Sequence, residues 1–301
     1  MRIARYWIPG QGARLGVCEG GTVRELVPPD APALVSFEDL VDLARRTPPR
    51  VSLGDFVRDL RGSAPSYSYR DLDRAPDPDV PHLLLPVIPP EVWAAGVTYE
   101  RSREARLAET TTVGIYDKIY EAERPEVFFK ATASRCVGPN ASVGIRVDSR
   151  WTVPEPELGV VLGGGGEVLG YTLGNDMSAR DIEGENPLYL PQTKIYRACC
   201  SIGPTILLTD VSAAARLTLW CRIERRGREA FRGEINTARI RRPIAELVTY
   251  LRRANDIPPM TVLLTGTGIV PPDEFACEEG DMIEIGAEEI GVLRNTAVRV
   301  S

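Results

Sequence analysis

Three carboxylates near the middle of the chain have the type and spacing of a metal site. Glu155 and Glu157 lie two residues apart in a Val- and Leu-rich run, so both side chains share one face if that run is a strand. The glycines at 163–166 then predict a turn, and a second strand-like segment leads back to Asp176. Three converging carboxylates are costly to desolvate without a cation, which predicts a hard divalent ion with oxygen ligands. Mg²⁺ is favoured over Zn²⁺, with Ca²⁺ or Mn²⁺ as further candidates, because neither His nor Cys accompanies the three.

The same E-P-E pair is also typical of a solvated strand edge, and its spacing alone favours that interpretation. The segments that follow favour the metal-site interpretation. GNDMSARD at 174–181 and EGENPLYLPQTKIY at 183–196 resemble motifs of the fumarylacetoacetate hydrolase superfamily, in which an E-x-E pair and the Asp of an N-D-x-S-x-R segment bind the metal. The second segment is most similar to the 2-keto-3-deoxy-D-arabinonate (2-dehydro-3-deoxy-D-pentonate) dehydratases. The resemblance extends over the whole chain.

The resemblance also implies roles for other side chains. Lys194 would reach the metal-bound substrate and act in proton transfer, and Lys130, in the run EVFFKA, would contact a substrate carboxylate. Thr267, in a TGTG segment, would line the pocket and donate to a substrate carboxylate. Arg180 is expected at the same mouth. Lys130 could instead mark a strand end that meets solvent, and Arg180 could instead form a structural salt bridge.

The activity that the resemblance implies is that of a metal-dependent lyase in pentose catabolism. Its substrate would be a small 2-oxo acid, 2-keto-3-deoxy-D-arabinonate, which is converted to 2,5-dioxopentanoate and water. Chelation of a 2-oxo acid makes the proton on carbon 3 acidic, so a base must lie nearby. The candidates are Lys194 and two carboxylates, Glu100 and Glu104, of the segment YERSREARLAE at 99–109, which is predicted to be an exposed helix that acts as a lid.

Hydrolytic members of the superfamily carry a His and a Glu in that lid segment to activate water. Here a residue near Ser102 takes the place of the His, and the only histidine, His82, lies in a proline-rich stretch where it is interpreted as a surface or backbone-bonded residue. This difference favours a dehydratase over an acylpyruvate-type C–C bond hydrolase. Two further interpretations stay open. One is a 2-oxo acid decarboxylase or tautomerase, which would require a further basic residue for a distal carboxylate, and the second is a sheet that the metal merely stabilises.

Many short strands, glycine turns and few helices must position these residues. The pattern predicts a β-rich α+β fold with a mixed β roll or distorted barrel, which the resemblance identifies as like the fumarylacetoacetate hydrolase C-terminal fold. We expect a small N-terminal α+β domain over 1–75, a proline-rich linker over 76–91 and a catalytic domain over 92–301. Helices are predicted at 37–46, after the N-cap Ser36, and at 243–254, with an apolar stripe.

The composition excludes several classes of protein. A net charge of −6 over 301 residues argues against nucleic acid as a partner, and 43% hydrophobic residues argue against disorder. Without a run of 18 apolar residues or a signal peptide, a cytoplasmic protein that does not contact membranes is expected. The six cysteines lack C-x-x-C spacing and are predicted to be reduced core residues. Family precedent implies a homodimer or homotetramer.

Overall fold

Two packed β-sheets form most of the fold. The computed structural model describes residues 1–28, 33–49, 51–60, 64–100 and 122–301. The strands in these residues are β1 Arg2–Ile8, β2 Gly12–Glu19, β3 Thr22–Glu25, β4 Ser66–Ser68, β5 His82–Leu83, β6 Val92–Gly96, β7 Glu126–Ala131, β8 Cys136–Val137, β9 Ser142–Arg146, β10 Thr152–Val153, β11 Pro156–Leu162, β12 Val168–Asp176, β13 Ser178–Ala179, β14 Cys200–Leu207, β15 Thr218–Arg225, β16 Arg228–Asn236, β17 Thr261–Leu264, β18 Met282–Ala287 and β19 Gly291–Val300.

The larger sheet has the strand order β4-β3-β2-β1-β14-β12-β11-β17-β6-β7, with β5 beside β1 and β8 beside β14. The smaller sheet has the order β16-β15-β18-β19-β9, and β10 pairs with β13 separately. Every residue of β11 is buried, as expected for a central strand that is covered on both faces. The predicted β-rich α+β class is confirmed, whereas the sheets of the described residues stay open and do not close into a barrel.

Short helices connect the strands. They are α1 Phe37–Arg46, α2 Leu53–Asp59, α3 Tyr69–Leu72, α4 Arg180–Glu185, α5 Leu190–Lys194, α6 Val211–Ala214 and α7 Ile244–Arg252, with 3-10 turns at Ala133–Arg135, Pro187–Tyr189 and Thr237–Arg239. The helices predicted at 37–46 and 243–254 are α1 and α7. Ser36 caps α1 in a capping box with Asp39, as its position before the helix predicts. No helix in the described ranges is long and apolar enough to cross a membrane.

The main hydrophobic core lies between the two sheets, where β11, β12 and β14 pack against β15, β18 and β19. Strand β15 shows why the sequence folds this way, because its alternating residues Leu219, Cys221 and Ile223 are buried while their neighbours are more exposed. The apolar stripe of α7 is buried as predicted. All six cysteines lie in described residues and are buried with free thiols, which confirms their interpretation as core residues.

The N-terminal strands share the large sheet with the strands that follow. Strand β1 pairs with β14, with Arg2 opposite Leu207, and also with β5. The segment predicted as a linker therefore contains a strand. His82 lies in that strand, where its Nδ1 is 2.9 Å from the main-chain O of Val80. It is backbone-bonded as predicted but buried, so the surface interpretation was wrong. The division into domains at 76–91 stays a prediction.

Candidate metal centre and adjoining cleft

The hairpin of β11 and β12 brings the three predicted carboxylates together. Pro156 pairs with Asn175, and the amide N–H of Asp176 donates to the main-chain O of Glu155 at 3.0 Å. Glu155, Glu157 and Asp176 each offer an oxygen within 4.8 Å of the others. Their exposed fractions are 5%, 1% and 0%, so a solvated strand edge does not describe this segment. The convergence that the sequence pattern predicts is present in the structure.

Three buried carboxylates at this distance repel one another, and a further positive charge would stabilise them. Burial raises the pKa of the Glu157 carboxyl well above its ordinary value, and the carboxylates of Asp176 and Glu155 raise it further. The N–H of Gly266, which donates to Glu157, and the ammonium of Lys194 act in the opposite direction. Because three buried oxygen ligands without imidazole or thiolate suit a hard cation, the donor set fits Mg²⁺ or Ca²⁺.

Lys194 is the last residue of α5, and its ammonium contacts the triad. Pro191 lies in the first turn of this helix, where its missing N–H costs no hydrogen bond. The Lys194 ammonium donates to Glu155 Oε1 at 2.9 Å, Asp176 Oδ2 at 3.0 Å and Ser178 Oγ at 2.6 Å. It also lines the adjoining cleft. The predicted proximity of Lys194 to the metal ligands is therefore present, while its part in proton transfer stays a prediction.

Arg180 is a second cation in contact with the triad. It lies at the start of α4, directly after β13, and its Nη2 is 3.0 Å from Glu155 Oε1. The side chain is only 3% exposed but lines the cleft. The structural salt bridge, which was the alternative interpretation of Arg180, is therefore present. Arg180 nevertheless also lies at the cleft, as the resemblance implies.

Lys130 lies behind the triad and outside the cleft lining. Its ammonium is completely buried and donates to Asp176 Oδ1 at 2.6 Å and to the main-chain oxygens of Met177 at 2.9 Å and Lys194 at 2.6 Å. Burial lowers the pKa of the Lys130 ammonium, but the Asp176 carboxylate and the nearby Cys199, Tyr196 and Cys200 together raise it by more, so the pKa of Lys130 lies above its ordinary value. Because all three N–H groups are engaged, this geometry favours a role in holding Asp176 over the predicted contact with substrate.

The TGTG segment supplies a backbone donor to the triad. Gly266 has a φ of +92°, and its N–H donates to the Glu157 carboxylate. Thr98 fixes this turn from outside, because its hydroxyl donates to the main-chain O of Thr265 at 2.7 Å. Thr267 lines the cleft as predicted, and in this structure its hydroxyl donates to the main-chain O of Ile269 at 3.2 Å.

Replacing Gly266 with Ala should weaken both the fold and metal binding. A Cβ at this position would lie 2.0 Å from Thr98 Oγ1 and 2.8 Å from the main-chain O of Ala95, at a positive φ that side chains disfavour. We expect a loss of stability on the order of 1–3 kcal/mol, measured by urea unfolding. Mg²⁺ affinity, measured by calorimetry, should also fall because the Glu157 donor is displaced. Gly54→Ala, at a helical position where a Cβ would make only an ordinary contact, 3.9 Å from Ser52 Oγ, is the matched control. Unchanged Mg²⁺ affinity in a folded Gly266→Ala variant would contradict the role of this N–H.

A cleft adjoins the triad. Its apolar lining consists of Ala95, Val97, Phe128 and Val270, together with Gly96. Its polar lining consists of Glu126, Glu155, Arg180, Glu183, Lys194 and Thr267. The arrangement combines metal-type ligands, two cations and an apolar wall, which suits a small anionic molecule with a short carbon chain.

Two of these polar residues were missed from the sequence, although a signal for each was present. Glu126 shares one face of β7 with Phe128 and Lys130, because residues two and four apart in a strand point the same way. Glu183 lies one helical turn after Arg180 and therefore on the same side of α4. Reading these periodicities outward from the predicted lysine and arginine would have found both carboxylates.

The predicted lid segment at 99–109 lies largely outside the described residues. Glu100 is exposed and is not part of the lining of the cleft formed by described residues. Glu104 and most of the predicted lid helix at 99–109 lie outside the described residues. Both glutamates therefore stay predictions as catalytic bases.

Comparison with known proteins decides the family. A family model described as fumarylacetoacetate (FAA) hydrolase C-terminal matches residues 91–298. The chain belongs to the fumarylacetoacetate hydrolase family. Within it, the chain is 44% identical over 288 residues to the "probable 2-keto-3-deoxyxylonate dehydratase" of Haloferax volcanii, covering 95% of this chain and 96% of that protein. It is 48% identical over 216 residues to the 2-dehydro-3-deoxy-D-arabinonate dehydratase of Saccharolobus solfataricus, covering 70% and 72% of the two chains.

A solved structure gives the same relationship at the level of the fold. This chain is similar to a 2-keto-3-deoxy-D-arabinonate dehydratase in complex with magnesium and 2,5-dioxopentanoate, with a TM-score of 0.83 and 36% identity over 100% of this chain and 99% of that one. The resemblance to this family that the motifs indicate is confirmed.

Proposed function

We propose that the protein is a Mg²⁺-dependent hydro-lyase that converts 2-keto-3-deoxy-D-arabinonate into 2,5-dioxopentanoate and water. The observation that carries this proposal is the buried triad of Glu155, Glu157 and Asp176, which adjoins a cleft containing Lys194. Similarity to dehydratases over most of the chain supports it, as does similarity to a solved structure that holds magnesium and 2,5-dioxopentanoate. D-Arabinonate and D-xylonate give the same 2-keto-3-deoxy acid, because carbons 2 and 3 cease to be stereocentres, so the two relatives' names are compatible with one D-pentonate substrate.

The triad would hold the ion, and the rest of the site orients the triad. A bound Mg²⁺ supplies Lewis-acid stabilisation of the negative charge that develops on the 2-oxo group. Glu155 is held by the side chains of Arg180 and Lys194, Asp176 by those of Lys130 and Lys194, and Glu157 by the N–H of Gly266. Partners of this kind fix the orientation of the carboxylates that would bind the ion.

The reaction requires two proton transfers at adjacent carbons, and two side chains of the cleft can share them. One group takes a proton from carbon 3, and another protonates the hydroxyl that leaves carbon 4 as water. A proton shift from carbon 5 to carbon 3, and then one from the carbon 5 hydroxyl to carbon 4, give the terminal aldehyde. We assign the first step to Lys194 after it has released a proton, because its Nζ lies between the triad and the cleft. We assign the second to Glu126, while Glu100 and Glu104 stay the candidates that the sequence predicts.

A product assay tests this function. With Mg²⁺, the purified protein should release one 2,5-dioxopentanoate for each 2-keto-3-deoxy-D-arabinonate consumed, as followed by proton NMR. Chelation of the metal should stop the reaction and added Mg²⁺ should restore it, because the triad alone cannot offset the charge on the 2-oxo group. Acylpyruvates, offered under the same conditions, should stay intact. Rapid cleavage of an acylpyruvate, with the pentonate unchanged, would instead identify a C–C bond hydrolase.

Two further expectations accompany this proposal. We propose a cytoplasmic location, which the small-molecule substrate supports. We also propose a homodimer or homotetramer, for which family precedent is the support. Sedimentation of the purified protein would measure the assembly directly.

A further inference from the structure

Val97 has a backbone conformation that β-branched residues rarely adopt. Its φ is +50°, in the left-handed region where the Cβ of an L residue is crowded and where a β-branched side chain is an outlier. The residue lies directly after β6, lines the cleft and is 7% exposed. Strained conformations persist only where surrounding contacts fix them, and they cluster at functional sites. The strain therefore marks Val97 as a functional position in the wall of the cleft.

The contacts next to Val97 connect it to the triad. The following residue, Thr98, is completely buried, and its hydroxyl donates to the main-chain O of Thr265 at 2.7 Å. The turn that Thr98 holds in this way contains Gly266, whose N–H donates to the Glu157 carboxylate. Val97 is thus fixed beside the metal-type ligands, where the first carbons of a bound 2-oxo acid would lie.

The side chains that accompany Val97 in this wall are apolar. Among the described lining residues they are those of Ala95, Phe128 and Val270, and the cleft they line also contains the Glu155 carboxylate of the triad. Carbon 3 is the single carbon of the proposed substrate that bears no oxygen. An apolar surface beside the triad complements this carbon, and its side chains offer no hydrogen bond to a hydroxyl at the same position.

We propose that Val97 determines specificity by packing against carbon 3, so that the cleft selects 2-oxo acids with a methylene there over 2-oxo acids with a hydroxyl on carbon 3. The inference rests on the proposed function and narrows its substrate class. A 3-hydroxyl turned towards Val97 would lose its hydrogen bonds to water without gaining a partner. The isopropyl group of Val97 is therefore a specificity element, which explains why a β-branched side chain occupies a strained position.

Matched ligands isolate the effect of this hydroxyl. 2-Oxopentanoate and the two enantiomers of 3-hydroxy-2-oxopentanoate have the same carbon chain and the same charge and differ only at carbon 3. None carries a hydroxyl on carbon 4, so calorimetry on the Mg²⁺-loaded protein measures binding without dehydration. The two hydrogens of carbon 3 point in different directions, so one enantiomer turns its hydroxyl towards Val97. We expect that enantiomer to bind roughly tenfold to a hundredfold more weakly than 2-oxopentanoate.

Val97→Thr keeps the size and branching of the side chain and adds a hydroxyl that can bond to the hydroxyl of the ligand. It should tighten binding of the rejected enantiomer by roughly tenfold and change 2-oxopentanoate binding by less than about threefold. Val97→Asn is a second variant that should act in the same direction, because Asn tolerates a positive φ. The matched control is Val147→Thr, at an exposed position outside the described lining, which should change none of the affinities.

The outcomes distinguish this inference from the function on which it rests. Equal binding of all three acids by the natural protein would overturn the selection. A preference that neither Val97 variant reduces, or that Val147→Thr reduces equally, would overturn it too. Binding of none of the acids would do the same, because there would be no 2-oxo acid binding to select. Discrimination that Val97→Thr removes, without dehydration of the pentonate, would support the selection and overturn only the reaction.

Discussion

Asp176→Asn should reduce Mg²⁺ affinity by more than about a hundredfold and remove dehydratase activity with it. Asp176 contributes one of three carboxylates whose oxygens lie within 4.8 Å, and it is completely buried at the end of β12. Removing its charge leaves two ligands and a neutral amide, which hold a divalent cation much more weakly. Calorimetric titration with Mg²⁺ measures the affinity, and the product assay measures the activity.

The choice of Asn over Ala follows from the neighbours of Asp176. Lys130 and Lys194 both hold this carboxylate, at 2.6 Å and 3.0 Å. Ala would leave two buried ammonium groups without that partner, which commonly lowers the free energy of unfolding by about 3–5 kcal/mol. Loss of Mg²⁺ binding in such a variant could then result from unfolding. Asp148→Asn, at an exposed acid paired with Arg146, is the control and should leave Mg²⁺ binding unchanged. A folded Asp176→Asn variant with undiminished Mg²⁺ affinity would show that the ion does not bind at the triad.

The convergence of Glu155, Glu157 and Asp176 was predictable because a hairpin is a local structure. The glycines at 163–166 and the apolar runs on either side of them predict two antiparallel strands, and antiparallel pairing about a turn determines which residues face each other. The structure places the N–H of Asp176 opposite the main-chain O of Glu155. Local helices were predictable for the same reason, since Ser36 marks where α1 begins.

The surroundings of the triad depend on contacts between distant parts of the chain. The position of Lys130 follows from pairing of β6 with β17 and of β7 with β6, and no local pattern predicts that this lysine is buried behind Asp176. Gly266 reaches Glu157 across 109 residues of sequence. The same holds for the place of β1 beside β14, which brings the N-terminal strands into the larger sheet. Such pairings are set by packing of the whole sheet and not by propensity.

Lys194→Met should lower kcat by on the order of a hundredfold or more, the usual effect of losing a general acid–base group, while KM changes little. The side chain keeps its length and loses the ammonium that now lies 2.9 Å from Glu155 and 3.0 Å from Asp176. Because one positive charge leaves the acidic triad, Mg²⁺ affinity should stay the same or increase. Steady-state kinetics at saturating Mg²⁺ and a calorimetric Mg²⁺ titration measure the two effects separately.

The opposite responses of rate and metal affinity identify a proton-transfer group. A residue that merely supports the fold would lower both, and urea unfolding of the variant checks its stability. Lys194→Arg provides the matched control, since it restores a cation near Glu155 and Asp176 but cannot release a proton near neutral pH. It should recover the natural Mg²⁺ affinity without recovering kcat. If Lys194→Met raised only KM, Lys194 would be an anchor for the substrate carboxylate, and the base would be sought among Glu126, Glu100 and Glu104.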